Sequence, residues 1–534
     1  MSWRYLRSAD HLTNLLVSNT SSTMKLFKSQ TTNITIFFAA SLVAAWNMPR
    51  LLAEGTEVIA TQHDEVNSGS AAAATSKAST ASSSSSSSTA SSKSSSTTTT
   101  SPSKRDPNCP PYGCPLLPRD MYFDQEAQAA LTTLRNLQQV ISSQEQPEEE
   151  SSSSSSSSSS ELNLIQALEL LKTVGGEDQA TLTLTGYKGG KLTEQINQDR
   201  AFVVSPFYIQ SSQEDIYDIT SSATRLLGVF DGHARLGEKV SEYTVQTLPQ
   251  LLSSKLETIL SNNFAATAAA ANNNNNIAET SNNTKAQEEE IQNAIIDTFI
   301  EIDKTAPAHE SGGCTATIVL QLNTKIYIAN AGDSRSFIAT YNKKTQRSNI
   351  VYITREDKPD LPEERVRVEQ AGGSVYIPPP ERVMMGASSR VVYVDKVTGS
   401  RNGLAMSRSI GDWAAGEMGV IATPTVNVVD IDELMKNAQT QECYNDEKKS
   451  DQTCYVDDES DVEVFAVSAT DGLLDFMDVQ EIANTVAMSL YVDEGPHPLS
   501  ACESLITTAA SAWWQAKNGQ YRDDIAIAVS KLSL

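Results

Sequence analysis

Serine-rich stretches limit how much of this 534-residue chain can form a folded core. The runs Ser83–Ser88 and Ser151–Ser160, with a Ser/Thr segment at 94–103, carry no large apolar side chains. Such segments cannot offset the conformational entropy that folding removes. The sequence therefore predicts a disordered leader and linker over residues 1–160 and one folded domain over residues 161–534, although the length alone would allow more domains.

Two polar breaks interrupt the predicted domain. Residues 262–290 are rich in Ala and Asn, and residues 437–460 are acidic and polar. Long surface insertions cost little extra closure entropy, so the core is expected to continue on either side of both. Within the leader, one short helix is predicted around Phe123–Ile141.

The leader also contains a candidate targeting signal over about residues 24–48. The basic start Met24–Lys28 is followed by a short apolar stretch with several small residues, as in a secretory signal. The stretch is too short to span a bilayer comfortably, and an organelle transit peptide is the main alternative. A real signal predicts the secretory pathway or an organelle, with membrane targeting, and its absence predicts the cytoplasm or nucleus.

The six cysteines fall into two kinds. Cys109 and Cys114 flank a turn-forming spacer, and Cys443 and Cys454 lie in the acidic insert, so each pair suits a disulfide in an oxidising compartment. Unpaired surface thiols are the alternative for both pairs. The remaining two, Cys314 and Cys502, are typical of small core residues.

The order of periodic segments predicts an α+β fold. Val240–Leu252 and the segment from Ile291 to Ile302 have helical spacing, whereas Thr317–Leu322 and Lys325–Asn330 read as a hairpin closed at Asn323-Thr324. Two successive helices followed by hairpins favour antiparallel sheets covered by helices over a doubly wound parallel sheet.

The net charge of −25 argues against nucleic acid as a partner, because binding phosphate backbones needs clustered Lys and Arg. The charge suits a protein that gathers carboxylates around divalent cations, although most acidic residues of any protein are simply solvated.

Aspartates stand where predicted strands begin or end. Several of them in one cleft would stay ionised only with a compensating cation, and hard Mg²⁺ or Mn²⁺ ions prefer such oxygen ligands. Taken alone, each aspartate is typical of a turn or a helix cap. The set comprises Asp199, Asp231, Asp333, Asp471, Asp475, Asp523 and Asp524.

Nine short strings carry a resemblance that extends from about Tyr187 to Leu534. They are Asn197-Gln198-Asp199, Val229-Phe230-Asp231-Gly232-His233, Ser311-Gly312-Gly313-Cys314-Thr315-Ala316, Ala331-Gly332-Asp333-Ser334-Arg335, Asp357-Lys358-Pro359-Asp360-Leu361-Pro362-Glu363-Glu364, Ala371-Gly372-Gly373, Leu404-Ala405-Met406-Ser407-Arg408-Ser409-Ile410-Gly411-Asp412, Thr470-Asp471-Gly472-Leu473-Leu474-Asp475 and Arg522-Asp523-Asp524-Ile525. In this order they resemble the PPM family of type 2C, metal-dependent serine/threonine protein phosphatases. The resemblance implies two packed antiparallel β-sheets flanked by α-helices, a four-layer αββα sandwich.

The resemblance also implies a role for each site residue. Asp231 would bridge two Mg²⁺ or Mn²⁺ ions, with the Gly232 carbonyl as a further ligand; a missing side chain lets that carbonyl approach an ion. The other implied metal residues are Asp471 and Asp523 as direct ligands and Asp199 through bound water. Asp333, with Asp471 and Asp475, resembles the set that binds a weaker third ion.

The implied reaction is hydrolysis of phosphoserine and phosphothreonine in protein substrates by direct attack of a metal-activated water. His233 resembles the general acid that protonates the leaving oxygen. We expect a monomer. A catalytically inactive binding protein of the same fold and a two-metal hydrolase of another phosphate or ester are the alternatives.

Three positions depart from the family pattern. Gln198 replaces a common glutamate, although its amide oxygen can still accept hydrogen bonds from metal-bound water. Ala234-Arg235 replaces Gly-Gly, and Arg235 could meet substrate phosphate. Where relatives have a phosphate-binding arginine, Lys191 is the candidate and Lys188 the alternative, though a lysine lacks the bidentate fork.

Overall fold

Runs of β-branched and small apolar residues form a first sheet of six strands, all paired antiparallel. Alternate side chains of each strand face opposite sides of the sheet, and the four inner strands are buried because both of their sides are covered. In spatial order the sheet consists of β1 (Pro115–Leu116), β4 (Arg200–Val204), β5 (Thr224–Phe230), β8 (Ala316–Leu322), β9 (Lys325–Ala331) and β16 (Thr425–Asp430).

A second six-stranded sheet is antiparallel except at one edge, where β2 (Arg119–Asp120) runs parallel to β3 (Gln179–Leu184). Its spatial order is β11 (Arg347–Ile353), β10 (Arg335–Asn342), β17 (Val462–Ala469), β18 (Ile525–Leu532), β3 (Gln179–Leu184) and β2 (Arg119–Asp120).

The two sheets pack face to face through a shared apolar layer. Val203, Leu227 and Val319 of the first sheet are fully buried, as are Ile338 and Ala466 of the second, in one continuous cluster. Burial of each such aliphatic side chain contributes about 1.5–3 kcal/mol, so this layer fixes how the sheets meet.

Helices cover both outer faces. On the first sheet lie α2 (Gly237–Ala271) and α3 (Ile277–Thr305), and on the second lie α1 (Gln125–Gln144), α8 (Val479–Tyr491) and α9 (Pro498–Ala516). This confirms the expected four-layer αββα sandwich. The structure is a computed structural model that describes residues 109–144, 176–209, 224–271, 277–309, 311–384, 386–394, 399–435, 461–492 and 497–532.

Short elements complete the domain between β11 and β16. They are α4 (Pro362–Gln370), β12 (Ser374–Tyr376), α5 (Pro380–Val383), β13 (Arg390–Val394), β14 (Arg401–Leu404), β15 (Ile410–Gly411) and α6 (Trp413–Gly416), with β6 (Gly232–His233) and β7 (Gly313–Cys314) joining β15 in a small sheet, and α7 (Asp471–Leu474) following β17. Buried Glu364 ties α4 to the β14–β15 loop, because its carboxylate accepts hydrogen bonds from Ser407 and Arg408.

The predicted domain boundary at residue 161 is too late. The predicted Phe123–Ile141 helix is present as α1, and its residues Ala127, Leu131 and Leu134 pack into the core of the second sheet. The compact unit that contains all described residues spans Pro107–Leu534. Strands β1 and β2, of two residues each, were not recognisable from periodicity.

Of two local predictions, the hairpin closed at Asn323-Thr324 is correct and the loop insert at 262–290 is not. The hairpin is confirmed: Asn323 has a φ of 55°, the left-handed conformation that a two-residue turn requires. The prediction that residues 262–290 form a loop insert is wrong, because helix α2 continues to Ala271 and helix α3 begins at Ile277. Alanine-rich sequence has high helix propensity, which accounts for the extension.

Cysteine pairing is settled in the described residues. Cys109 and Cys114 form a disulfide, and Cys314 and Cys502 are buried free thiols. The Cys443–Cys454 pair, the insert 437–460 and the targeting signal at 24–48 lie outside the described residues. Within the described part of the chain, no helix combines the length and apolar character needed to cross a membrane.

Candidate active site

The antiparallel register brings the predicted aspartates to one end of the sandwich. Arg200 pairs with Phe230, so the start of β4 lies beside the end of β5, and Asp199 therefore lies near Asp231. In the second sheet the start of β10 pairs with the end of β17, and the end of β17 with the start of β18. Asp333, Asp471 and Asp523 stand at those three positions.

Three of these carboxylates form a tight group. Asp231, Asp333 and Asp471 each offer an oxygen within 4.8 Å of the others. Asp333 is buried and the other two are half-buried. Like charges at this spacing in a poorly solvated rim repel strongly, so the group requires protons or cations.

The surrounding carboxylates intensify this demand. Burial, followed by the charges of Asp199 and Asp471, raises the pKa of Asp231 well above its ordinary value. Burial and then Asp333 and Asp523 raise the pKa of Asp471 in the same way. For Asp199, burial and the charge of Asp524 raise the pKa to about 8.

Two buried oxygens of this cluster are free acceptors. Oδ2 of Asp199 and Oδ1 of Asp333 make no hydrogen bond with any described residue. A buried acceptor without a donor is costly, and a divalent cation with its waters would satisfy both. The donor set therefore fits Mg²⁺ or Mn²⁺.

Two lysines supply only part of the missing positive charge. Nζ of Lys358 lies 2.8 Å from Oδ2 of Asp333. Nζ of Lys188 lies 3.3 Å from Oδ1 of Asp523 and 3.3 Å from Oδ2 of Asp524. Burial lowers the pKa of each lysine, but the neighbouring carboxylates raise it above its ordinary value, so both stay charged.

Gly232 is required by packing. A Cβ at this position would lie 2.5 Å from the Gln198 carbonyl oxygen and 2.6 Å from the Gly237 carbonyl oxygen. A side chain would therefore force apart the segments that carry Asp199 and His233. Close packing therefore requires glycine at position 232, in addition to the expected approach of its carbonyl to an ion.

His233 is fixed by a carboxylate from a distant part of the chain. Its Nε2 lies 2.6 Å from Oδ2 of Asp412, which also accepts a hydrogen bond of 2.7 Å from the Ser409 hydroxyl. Burial lowers the pKa of His233, but the charge and hydrogen bond of Asp412 raise it above its ordinary value. Asp412 therefore favours the protonated imidazole, whose Nε2–H is directed at its carboxylate.

Asp412 itself has an uncommon backbone conformation. Its φ of 51° and ψ of 35° are left-handed, which costs a non-glycine residue about 1–2 kcal/mol. The conformation is held by a hydrogen bond from its N–H to the Gly312 carbonyl, 2.9 Å. Strain of this kind is commonly retained at functional positions.

The remaining predicted residues are less closely involved. Lys191 is exposed and pairs with Glu194 at 3.2 Å, so the structure brings Lys188, rather than Lys191, to the carboxylates. Arg235 is exposed on the loop after His233. Asp475, at the end of α7, is exposed, and its charge contributes to the raised pKa of Asp471.

Sequence reasoning assigned no role to Asp412 or Lys358, and it counted Asp524 among the strand-end aspartates without giving it a ligand role of its own. All three stand in the matched strings, and Asp524 adjoins Asp523. Asp524 is buried, and its two oxygens accept hydrogen bonds from the backbone N–H groups of Gly186 and Gln198.

Sequence comparison finds a family match over the middle of the chain. The family model described as protein phosphatase 2C matches residues 207–437. The matched range contains Asp231, His233 and Asp333, whereas Asp199 and Asp471 lie outside it and join the site only through the fold.

Named relatives are distant. Probable protein phosphatase 2C 41 of Arabidopsis thaliana is 26% identical over 337 residues, 62% of this chain and 77% of that protein. Probable protein phosphatase 2C 14 of Oryza sativa subsp. japonica is 28% identical over 65% of this chain and 58% of that protein. The integrin-linked kinase-associated serine/threonine phosphatase 2C of Homo sapiens is 27% identical over 46% of this chain and 52% of that protein. The chain thus spans about half to three quarters of the length of these relatives.

Among solved structures, the serine-threonine phosphatase 2C of Toxoplasma gondii aligns with 67% of this chain and 95% of that chain. The TM-score is 0.45 and the sequence identity 17%.

Proposed function

Because this chain belongs to the protein phosphatase 2C family, the PPM family of metal-dependent phosphatases, we propose that it hydrolyses phosphoserine and phosphothreonine in proteins. One observation carries the proposal. Carboxylates from both sheets, far apart in sequence, meet at one rim with oxygens within 4.8 Å of one another, beside a histidine held by Asp412.

The residues that would hold two divalent ions are Asp231, Asp471 and Asp523, with the Gly232 carbonyl and with Asp199 acting through water. Asp333 and Asp475 would hold a weaker third ion. When bound, Mg²⁺ or Mn²⁺ supplies an activated water as the nucleophile and neutralises charge on the phosphate.

The chain's own residues supply the remaining functions. His233 acts as the general acid: Asp412 accepts its Nε2–H, so the proton delivered to the seryl or threonyl leaving oxygen is the one on Nδ1. Asp412 favours the charged imidazole and orients it for that transfer. Lys188, which lies at the edge of the cluster and is 39% exposed, is the cation best placed to meet the substrate phosphate.

The test uses the full chain with Mn²⁺, phosphoserine, phosphothreonine and phosphotyrosine peptides, and an aryl phosphate. We expect turnover that EDTA abolishes, with preference for the two alcohol esters. Asp231→Asn should lower kcat at least about a hundredfold, since loss of a ligand should cost no less than loss of an outer-shell partner.

Asp478→Asn is the matched control for that substitution. Asp478 caps α8 from outside the cluster, and its loss should leave kcat unchanged. Absence of turnover under every metal would favour the inactive binding protein, and turnover of small esters alone would favour the other hydrolase class.

We also propose that residues 24–48 direct the protein to the secretory pathway or an organelle. The Cys109–Cys114 disulfide supports an oxidising destination. Fluorescent fusions of residues 1–60 and 24–60 should enter that compartment, and a diffuse cytosolic signal from both fusions would contradict the proposal.

A further inference from the structure

Gln198 joins three segments that each carry a candidate site residue. Its backbone N–H donates to Oδ2 of Asp524 at 3.2 Å. Its carbonyl accepts hydrogen bonds from the Gly232 N–H at 3.2 Å and from the Ser241 hydroxyl at 2.6 Å. The backbone of Gln198 therefore links β4 to the segments on either side of the carboxylate cluster.

The side chain of Gln198 reaches the loop after His233. Its Nε2 donates to the Ala234 carbonyl at 2.9 Å and lies 3.3 Å from Oε2 of Glu238. The amide group is confined, because a Cβ on Gly237 would come within 2.8 Å of this nitrogen. The nitrogen of the amide is thus directed at the loop. Only a hydrogen-bond donor at this position satisfies both the Ala234 carbonyl oxygen and Oε2 of Glu238.

This loop contains a residue in a disfavoured conformation. Ala234 has a φ of 63°, which a residue with a Cβ adopts at a cost of about 1–2 kcal/mol. A hydrogen bond to the carbonyl of that same residue stabilises the turn. A carboxylate in place of the amide could not donate it and would repel Glu238.

We propose that Gln198 is a positioning residue for His233: its amide holds the Ala234 turn and thereby keeps the imidazole against Asp412. The inference rests on the proposed function and deepens it. It also replaces the sequence-based expectation that the amide oxygen serves metal-bound water.

The dependence of kcat on the leaving group distinguishes a role in positioning His233 from a general loss of structure or metal binding. A seryl or threonyl oxygen needs a proton to leave, whereas p-nitrophenolate leaves without one. In the full chain, Gln198→Met should therefore lower kcat on a phosphothreonine peptide about tenfold or more and change kcat on p-nitrophenyl phosphate less than about twofold. Mn²⁺ affinity, measured by calorimetry, should stay within about twofold.

A double variant tests whether the effect passes through His233. In the His233→Gln background, Gln198→Met should cause no further loss on the phosphopeptide, because residues that act as one unit are not additive. An equal fall on both substrates, weakened Mn²⁺ binding, or additive losses would overturn the proposal. A wild-type chain that hydrolyses neither substrate would instead refute the proposed function.

Two further variants guard against misfolding. Gln198→Glu preserves the side-chain size and removes the donor, so it should show the same split between substrates. Gln480→Met is the matched control: Nε2 of Gln480 also donates to a backbone carbonyl, that of Ser348 at 3.0 Å, but on α8, and its loss should leave both kcat values unchanged.

Discussion

At the scale of single residues, the carboxylates that would bind cations lower the stability of the metal-free folded state. Asp199 is 2% exposed and keeps an oxygen without a hydrogen bond from any described residue, while its pKa is raised to about 8. An aspartate of the unfolded chain titrates near 3.9. Between these values the metal-free folded state holds a proton that the unfolded state has released, so stability falls as the pH rises through this window.

Replacing that carboxylate should relieve the cost. We predict that metal-free Asp199→Asn is more stable than the wild type at pH 8, with a midpoint at least about 2 °C higher, and that the difference disappears near pH 4. Urea and thermal unfolding in EDTA at both pH values measure this. The same substitution should weaken Mn²⁺ binding; a variant that is less stable than wild type at every pH would contradict the explanation.

At the scale of elements, the segment 109–144 is part of the domain. Strand β1 pairs with the edge of the first sheet and β2 with the edge of the second, so one short stretch is bonded to both. Asp120 in β2 accepts hydrogen bonds from the Thr185 N–H and from the side chain of Asn197, which lies two residues before Asp199 at the start of β4. Helix α1 then covers the second sheet.

Removing this segment should therefore be severe. We predict that a chain starting at residue 161 is insoluble or melts more than about 10 °C below a chain starting at residue 107, since Leu131, Leu134 and Met121 together contribute about 5–8 kcal/mol of burial. That sum is comparable with the whole stability of a typical domain. Thermal shift and circular dichroism compare the two chains, and equal midpoints would show that α1 is dispensable.

At the scale of the whole molecule, the sequence was enough to predict the layers of the fold and the aspartates of the site. It was not enough to predict which side chains contact one another across the site. Asp231 and Asp471 could be predicted because each ends an apolar run, a local signal. The partnership of His233 with Asp412 spans 179 residues and leaves no local trace. Strands of two residues such as β2 have no periodicity to detect.

The choice between two lysines was equally beyond local reasoning. Gly189 and Gly190 have φ values of 94° and 82°, and after this turn Lys191 is exposed while Lys188 lies beside Asp523. Counting residues from the acidic pair could not anticipate such a reversal of the chain.

The carboxylates of the rim come from different sheets: Asp231 follows a strand of one, and Asp471 follows a strand of the other. Under the proposed function, an ion bound by both aspartates links the two sheets of the sandwich to each other. Chelation would then remove a mechanical link together with the chemistry. Loss of turnover and loosening of the fold should accompany each other in this protein.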